Sequence, residues 1–316
     1  MTRHRAGLLA LAVVLGACRT SVRQAPASAT LVPLFGPVIG AEVIAGRADA
    51  GDEIVLLVGG TDLVRISLAA RRFERVRLRT DAGVECWNLA SPGDGSLWTI
   101  RSRDTLARLR FDGSIVSEAA LGEPYFGLFA SENRLLFQRA DFTPPGPALI
   151  AAGADGRPHK AWSTIATRAF PALARASAAA LNMVTCGSTD STERACWFPD
   201  EAAVFFVSAD GSTRHVSLPG LDVVAPETLL TSDNPRRPVR DAYVDATGAL
   251  WILSSGMPPP GAKEGPGGWL LARYDAAGVS KGIRRLSEAA RLILRADGRN
   301  VSLVMAGGMV GQVPRW

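Results

Sequence analysis

The sequence predicts an all-β fold assembled from repeated units. Three observations carry that expectation. Short alternating apolar runs, closed by Gly, Asp-Gly or Pro, recur from end to end, and helical spacing is nearly absent. In addition, two short phrases recur in a fixed order, which marks an internal repeat.

The elements follow in chain order. The opening MTRHRAGLLALAVVLGACRT places Arg3 and Arg5 before an uncharged apolar run from Ala6 to Ala17, too short to cross a bilayer as a helix. Residues 1–17 are therefore expected to be a signal peptide. Its end, Leu15-Gly16-Ala17-Cys18, resembles the lipobox of bacterial lipoproteins; an ordinary secretory signal is the alternative. The resemblance implies that Cys18 is lipidated and becomes the N-terminus, with the protein in the bacterial cell envelope on the periplasmic or cell-surface side. Residues 18–28 are small and polar and read as a flexible tether, and 29–316 as one domain.

Within that domain, the phrase "apolar strand, Asp or Ala, Gly" ends LARLRFDG at Gly113, ALIAAGADG at Gly156, VFFVSADG at Gly211 and LLARYDAAG at Gly278. Tight hairpins between twisted strands need positive φ, which Gly adopts without strain. A second phrase precedes each of these turns, clearest in GDGSLWTI, ERACWFPD and ATGALWIL. Together they give five repeats of four strands, starting near Ala41, Glu85, Pro124, Ala179 and Arg240. A sixth, from Ala289, holds only three strands, and the N-terminal run ATLVPLF at Ala29 is expected to supply the fourth. The expected fold is a six-bladed β-propeller closed in this way, with a seven-bladed ring as the alternative.

The phrase DATGALW from Asp245 to Trp251 resembles the repeats of NHL proteins and of the regucalcin and gluconolactonase group. The resemblance spans the domain as a pattern, and it implies fold more than activity. In the gluconolactonase group a divalent cation is held by Glu, Asn and Asp at the starts of inner strands. Glu42, Asn182 and Asp241 occupy comparable positions, which implies a calcium-like ion and a lactonase-type hydrolase as the alternative function. Those proteins follow each ligand with Gly or Pro, whereas this chain has Val43, Met183 and Ala242.

Charge excludes less than it first suggests. The formal net charge is +5, but the cations are almost all arginines scattered among apolar residues, as in RRFERVRLR. That pattern is the wet face of a strand, and no nucleic-acid partner is expected. Besides Cys18, the cysteines are Cys86, Cys186 and Cys196. The last two flank the turn-rich GSTDSTERA and are expected to form a disulfide in an oxidising compartment, with a metal pair as the alternative; Cys86 reads as buried.

The starts of the inner strands should line the channel mouth. They are Glu42, Glu85 with Trp87, Tyr125, Asn182, Arg240 with Asp241, and Arg291. Trp87, Tyr125, Arg240, Asp241 and Arg291 are the expected ligand-binding residues, with a water-filled entrance as the alternative. Extra length falls at Ala140 to Pro147, Ser163 to Ala178, Pro219 to Val239 and Gly256 to Gly268, so one face is elaborated. His159 and His215 sit on expected outer strands, and no nucleophile elbow or P-loop appears. Trp98, Trp197 and Trp251 are expected in the core. The expected function is binding or scaffolding for a protein, glycan or small ligand, with no cofactor unless the metal alternative holds.

Overall fold

A computed structural model of the chain describes residues 27–80, 84–92, 94–102, 104–131, 134–139, 146–152, 156–231, 237–255, 268–314 and 316. The expected signal peptide, Cys18, most of the tether, and nearly all of the loops 140–147 and 256–268 lie outside the described residues.

Two N-terminal strands come first, β1 (Ala27–Ala29) and β2 (Val32–Phe35). A first sheet follows from β3 (Ile44–Ala50), β4 (Glu53–Val58), β5 (Asp62–Ser67) and β6 (Arg72–Arg77). The second contains β7 (Cys86–Ala90), β8 (Leu97–Arg101), β9 (Thr105–Leu109) and β10 (Ile115–Ala120), and the third β11 (Tyr125–Ser131), β12 (Arg134–Arg139), β13 (Leu149–Ala152) and β14 (Pro158–Ala161). Helix α1 (Arg175–Leu181) leads to β15 (Thr185–Cys186), β16 (Ser188–Thr189), β17 (Arg194–Trp197), β18 (Ala203–Val207) and β19 (Thr213–Ser217). Of these, β15, β17, β18 and β19 make the fourth sheet. After α2 (Pro226–Thr231), the chain forms β20 (Asp241–Val244), β21 (Leu250–Ser255), β22 (Trp269–Tyr274) and β23 (Ser280–Leu286). It ends with β24 (Ala290–Ala296), β25 (Val301–Met305) and β26 (Val310–Val313).

Five sheets have four strands each, and the sheet containing β20–β23 has six, in the order β1-β23-β22-β21-β20-β16. The expected closure occurs with a shift. Val32–Phe35 pairs antiparallel with Val310–Val313, covering the edge left where the chain stops after three strands. Ala27–Ala29 continues onto the neighbouring sheet and pairs parallel with β23, so the N-terminal segment straps two sheets together.

The turn chemistry explains why the repeats keep their glycines. Gly113 has φ 79° and Gly211 φ 86°. A Cβ at Gly113 would lie 2.5 Å from the carbonyl oxygen of Arg77, and one at Gly211 would lie 1.8 Å from that of Trp162. These two turns between third and fourth strands thus rest on the outer edge of the preceding sheet, and only Gly fits at either. Apolar layers fill the spaces between consecutive sheets, including sixth against first, where Leu292, Leu294, Val304 and Val310 meet Ile54, Leu56, Val64 and Ile66. Fully burying each such side chain contributes about 1.5–3 kcal/mol. Trp197 and Trp251 are core residues as expected, and Trp98 packs half-buried against the layer between second and third sheets. His159 and His215 lie on β14 and β19, the outermost strands of their sheets.

The fourth sheet departs from the expected start at Ala179. The run from Arg175 to Leu181 is rich in alanine, a strong helix former, and it folds as α1. The inner strand that follows is only two residues long.

Candidate channel site

The inner strands β3, β7, β11, β15, β20 and β24 surround a cavity of about 1080 Å³. Irregular pairing shapes its mouth: register shifts fall between Ile44 and Gly46, Trp87 and Ala90, Tyr125 and Gly127, and Ala290 and Leu292. Bulges of this kind re-aim side chains locally. Asn88, in the bulge of β7, has φ 60°, and its Nδ2 donates to the Phe126 carbonyl at 2.9 Å, joining second and third sheets at the rim.

A charged network crosses the channel. Asp241 opens β20; its Oδ1 accepts from the Ala242 N–H at 2.9 Å and its Oδ2 from the Ile293 N–H at 2.6 Å, which ties the fifth sheet to the sixth. Burial pushes this carboxyl up to about 6, against the opposing pull of Arg47. Arg47, on β3, donates to Asp49 Oδ1 at 2.9 Å and to the carbonyls of Leu294 at 2.6 Å and Ile293. Its guanidinium lies 5.8 Å from the centre of the Tyr243 ring, within cation–π reach. One arginine therefore contacts the first, fifth and sixth sheets.

The fourth sheet contributes an irregular wall. Cys186 and Cys196 are paired opposite each other on β15 and β17 and form the expected disulfide. Instead of an ordinary hairpin, the chain between them sends β16 across to pair parallel with β20. Thr189 Oγ1 accepts from Ser191 N at 2.8 Å and donates to the Glu193 carbonyl at 2.8 Å, which holds this excursion in shape. Arg194 follows it and faces the cavity. Its Nη1 donates to the Gly187 carbonyl, its Nε has no acceptor, and burial lowers its pKa to about 10.

At the mouth, Arg237 and Arg240 precede β20. The Ser255 hydroxyl accepts from the Arg237 backbone N–H at 2.8 Å and from Arg240 Nε at 3.0 Å, and the Arg240 guanidinium sits 5.0 Å from the centre of the Trp269 ring. Partial desolvation lowers the pKa of both arginines, although Arg237 keeps an exposed surface, and Arg237 lowers that of Arg240 further by like-charge repulsion. Arg291 donates to the carbonyls of Glu42 at 2.8 Å and Ala306 at 2.7 Å.

Of the residues expected at the mouth, Glu42, Arg240, Asp241 and Arg291 line the cavity. Trp87 is 44% exposed on the rim but outside the lining. Tyr125 is buried: its hydroxyl donates to Glu123 Oε1 at 2.6 Å and its ring lies 5.1 Å from that of Phe137. Asn182 is buried away from the cavity, its amide accepting from the Arg168 N–H at 2.7 Å and donating to the Arg168 carbonyl at 2.9 Å. Glu42 is held by Arg75 at 2.9 Å and by the Gly40 N–H at 2.7 Å; hydrogen bonds from its own N–H and then Arg75 keep its carboxyl below the ordinary range.

Glu42, Asn182 and Asp241 thus do not form one donor set. Among the described residues, no three His, Cys, Asp or Glu side chains are grouped to hold a metal ion. Arg47, Asp49, Arg194 and Arg237 are the channel residues that sequence reasoning missed. The alternation of charged and small residues in IAGRADA is the one signal that pointed to the first two.

No protein-family model and no curated protein matches this sequence. Similarity appears in three dimensions. A member of the DUF4221 family from Bacteroides vulgatus is 7% identical, with TM-score 0.55 over 92% of this chain and 96% of its own. A gluconolactonase from Xanthomonas campestris is 14% identical, with TM-score 0.52 over 92% and 95%. The fold is a β-propeller. Structural neighbours also include a catalytically inactive virginiamycin B lyase from Staphylococcus aureus in complex with quinupristin, 13% identical, TM-score 0.48 over 90% and 98%. At these identities the propeller is what the chains share, and chemistry has to be argued from the residues of this channel.

Proposed function

We propose that this protein is an exported, lipid-anchored, six-bladed propeller that binds a small polar ligand in its central channel. The observation that carries the reading is the cavity of about 1080 Å³ walled by inner strands of every sheet. Its volume is that of a small-molecule site. The lining mixes arginines, carboxylates and hydroxyls with Val43, Leu128, Phe129 and Trp269, so it offers both orienting hydrogen bonds and apolar contact. The described lining has no histidine and no free thiol, which favours holding a ligand over nucleophilic catalysis.

The blade count rests on reading β20–β23 as a blade like the others, widened by β16 on its inner edge and β1 on its outer edge. Anchoring rests on Leu15 to Cys18. No helix among the described residues is long and apolar enough to cross a membrane. Replacing Cys18→Ala is expected to move the protein from the membrane to the soluble fraction, and unchanged membrane association would refute the anchor.

Ligand binding is tested by a thermal-shift screen of neutral, cationic and anionic small molecules on the protein and on Ala41→Trp. Ala41 is exposed and lines the mouth, so an indole there narrows the channel without disturbing the core. At least one chemical class is expected to raise the unfolding midpoint of the unaltered protein and not of the variant. Shifts equal in both proteins would place binding elsewhere and refute the reading.

A further inference from the structure

We propose that the channel ligand is an organic oxyanion, a carboxylate or a phosphate ester, bound by Arg194 inside the channel and Arg237 at its mouth. This inference rests on the channel being a ligand site. Every carboxylate lining the cavity is engaged: Asp49 by Arg47, Asp190 by Arg295 at 3.7 Å, Glu42 by Arg75, and Asp241 by two backbone N–H groups. Arg47 and Arg291 are likewise engaged, by Asp49 and by backbone carbonyls respectively.

Arg194 differs from them. Among the described residues it forms no ion pair, one carbonyl accepts from it, and its Nε has no acceptor. It also faces the cavity rather than the core. The Asp49 carboxylate acts on Arg194 only from beyond ion-pair distance, and a half-buried guanidinium with no ion-pair partner carries a desolvation cost that a structural arginine avoids by taking a carboxylate neighbour. Retaining the charge on the channel wall fits a partner that arrives through that channel. The planar fork of arginine matches the paired oxygens of a carboxylate or phosphate, and charge-assisted hydrogen bonds there are about twice as strong as neutral ones.

Arg237 forms no ion pair among the described residues either, and it stands exposed at the entrance where an incoming anion is drawn in. The remaining wall suits the organic part. Val43 is 74% exposed at the rim, and Leu128 and Phe129 lie deeper.

The test is calorimetric titration of the purified protein with succinate, with inorganic phosphate and with the neutral diamide succinamide, at low and high salt. At least one anion is expected to bind and succinamide not to. Succinate alone binding would identify a carboxylate ligand and phosphate alone a phosphate ligand; either supports the assignment. Arg194→Gln is expected to weaken anion binding by about tenfold or more, and Arg237→Gln by severalfold with a shallower salt dependence.

Because Arg194→Gln removes a half-buried charge that has no ion-pair partner among the described residues, its thermal midpoint without anion is expected to be no lower than that of the unaltered protein. If that variant does not fold, Arg194→Lys keeps the charge, loses the fork, and is expected to bind more weakly. Anion affinity unchanged in the folded Arg194 variants, or no anion binding by the unaltered protein, would overturn the assignment. Succinamide binding as tightly as succinate and lost in Ala41→Trp would overturn it too, while leaving the channel as a ligand site.

Discussion

The carboxylate of Asp245 accepts the indole N–H of Trp251 at 2.9 Å, and both residues are fully buried. The other oxygen of Asp245 accepts from the Thr247 N–H at 2.9 Å, the Thr247 hydroxyl at 2.5 Å and the Ala249 N–H at 3.1 Å. One side chain therefore shapes the β20–β21 turn and fixes the tryptophan that fills the layer below it. That tryptophan meets Trp316 edge-on at 5.0 Å between ring centres, with Arg273 5.0 Å over its face. Asp245→Ala orphans several buried donors and is expected to destabilise the fold by about 2–4 kcal/mol in urea unfolding, with Asp245→Asn costing less. A loss below about 0.5 kcal/mol for the alanine variant would show that the turn does not depend on this carboxylate.

Asn182 is a clamp for the insertion before the fourth sheet. It holds both backbone polar groups of Arg168, whose guanidinium pairs with Asp200 at 2.7 Å and Glu201 at 2.7 Å. Asn182→Ala is expected to cost about 1–3 kcal/mol in stability, read by chemical denaturation. Any calcium affinity measured by calorimetry is expected to be the same in this variant. A calcium affinity lost with Asn182 would restore the oxygen-donor set that the gluconolactonase resemblance implies.

Asp241 predicts a pH dependence with a definite sign. Its folded value, about 6, lies above the ordinary 3.8, so between these the folded protein holds a proton that the unfolded chain releases. Stability from this group is present at the acid end of that window and declines as pH rises through it. Unfolding free energies of the unaltered protein and Asp241→Asn, compared between pH 4 and 6.5, are expected to differ in slope by on the order of 2 kcal/mol across the window. Parallel curves would show that Asp241 does not titrate in this range.

The disulfide closes a short loop with a sequence separation of 10. Intact-mass measurement with and without reductant is expected to show that bond, and its reduction to cost about 2–3 kcal/mol. Cys86 is fully buried, and burial pushes its thiol up, so it is expected to resist alkylation until the protein unfolds. Rapid labelling of Cys86 in the native protein would contradict its placement.

The repeat was legible because its signals are local. Gly113, Gly211 and Gly278 mark turns that Asp and Gly form by themselves, and the near-continuous apolar runs of β4 and β21 mark strands buried on both faces. The inner strands of the second, third, fifth and sixth sheets begin at Cys86, Tyr125, Asp241 and Ala290, each within a residue of the expected starts. The channel lining was harder to read. Alternation assigns faces only while the pairing is regular, and the bulges after Trp87 and Tyr125 break it at the mouth. Tyr125 therefore turns into the core between sheets. Arg194 reaches the channel from a second strand because the inner strand before it is only two residues long.

What the sequence determined by itself is what neighbouring residues settle among themselves: turns, strand order, the Cys186–Cys196 pairing and the core place of Trp251 in DATGALW. What only the tertiary structure decided is which charges share the channel and which of them are neutralised. Arg47 meets the carbonyls of Ile293 and Leu294, and Asp241 meets the N–H of Ile293. Those partners are brought together by closing the ring. A side chain's electrostatic environment depends on distances in space, which a pattern along the chain does not encode.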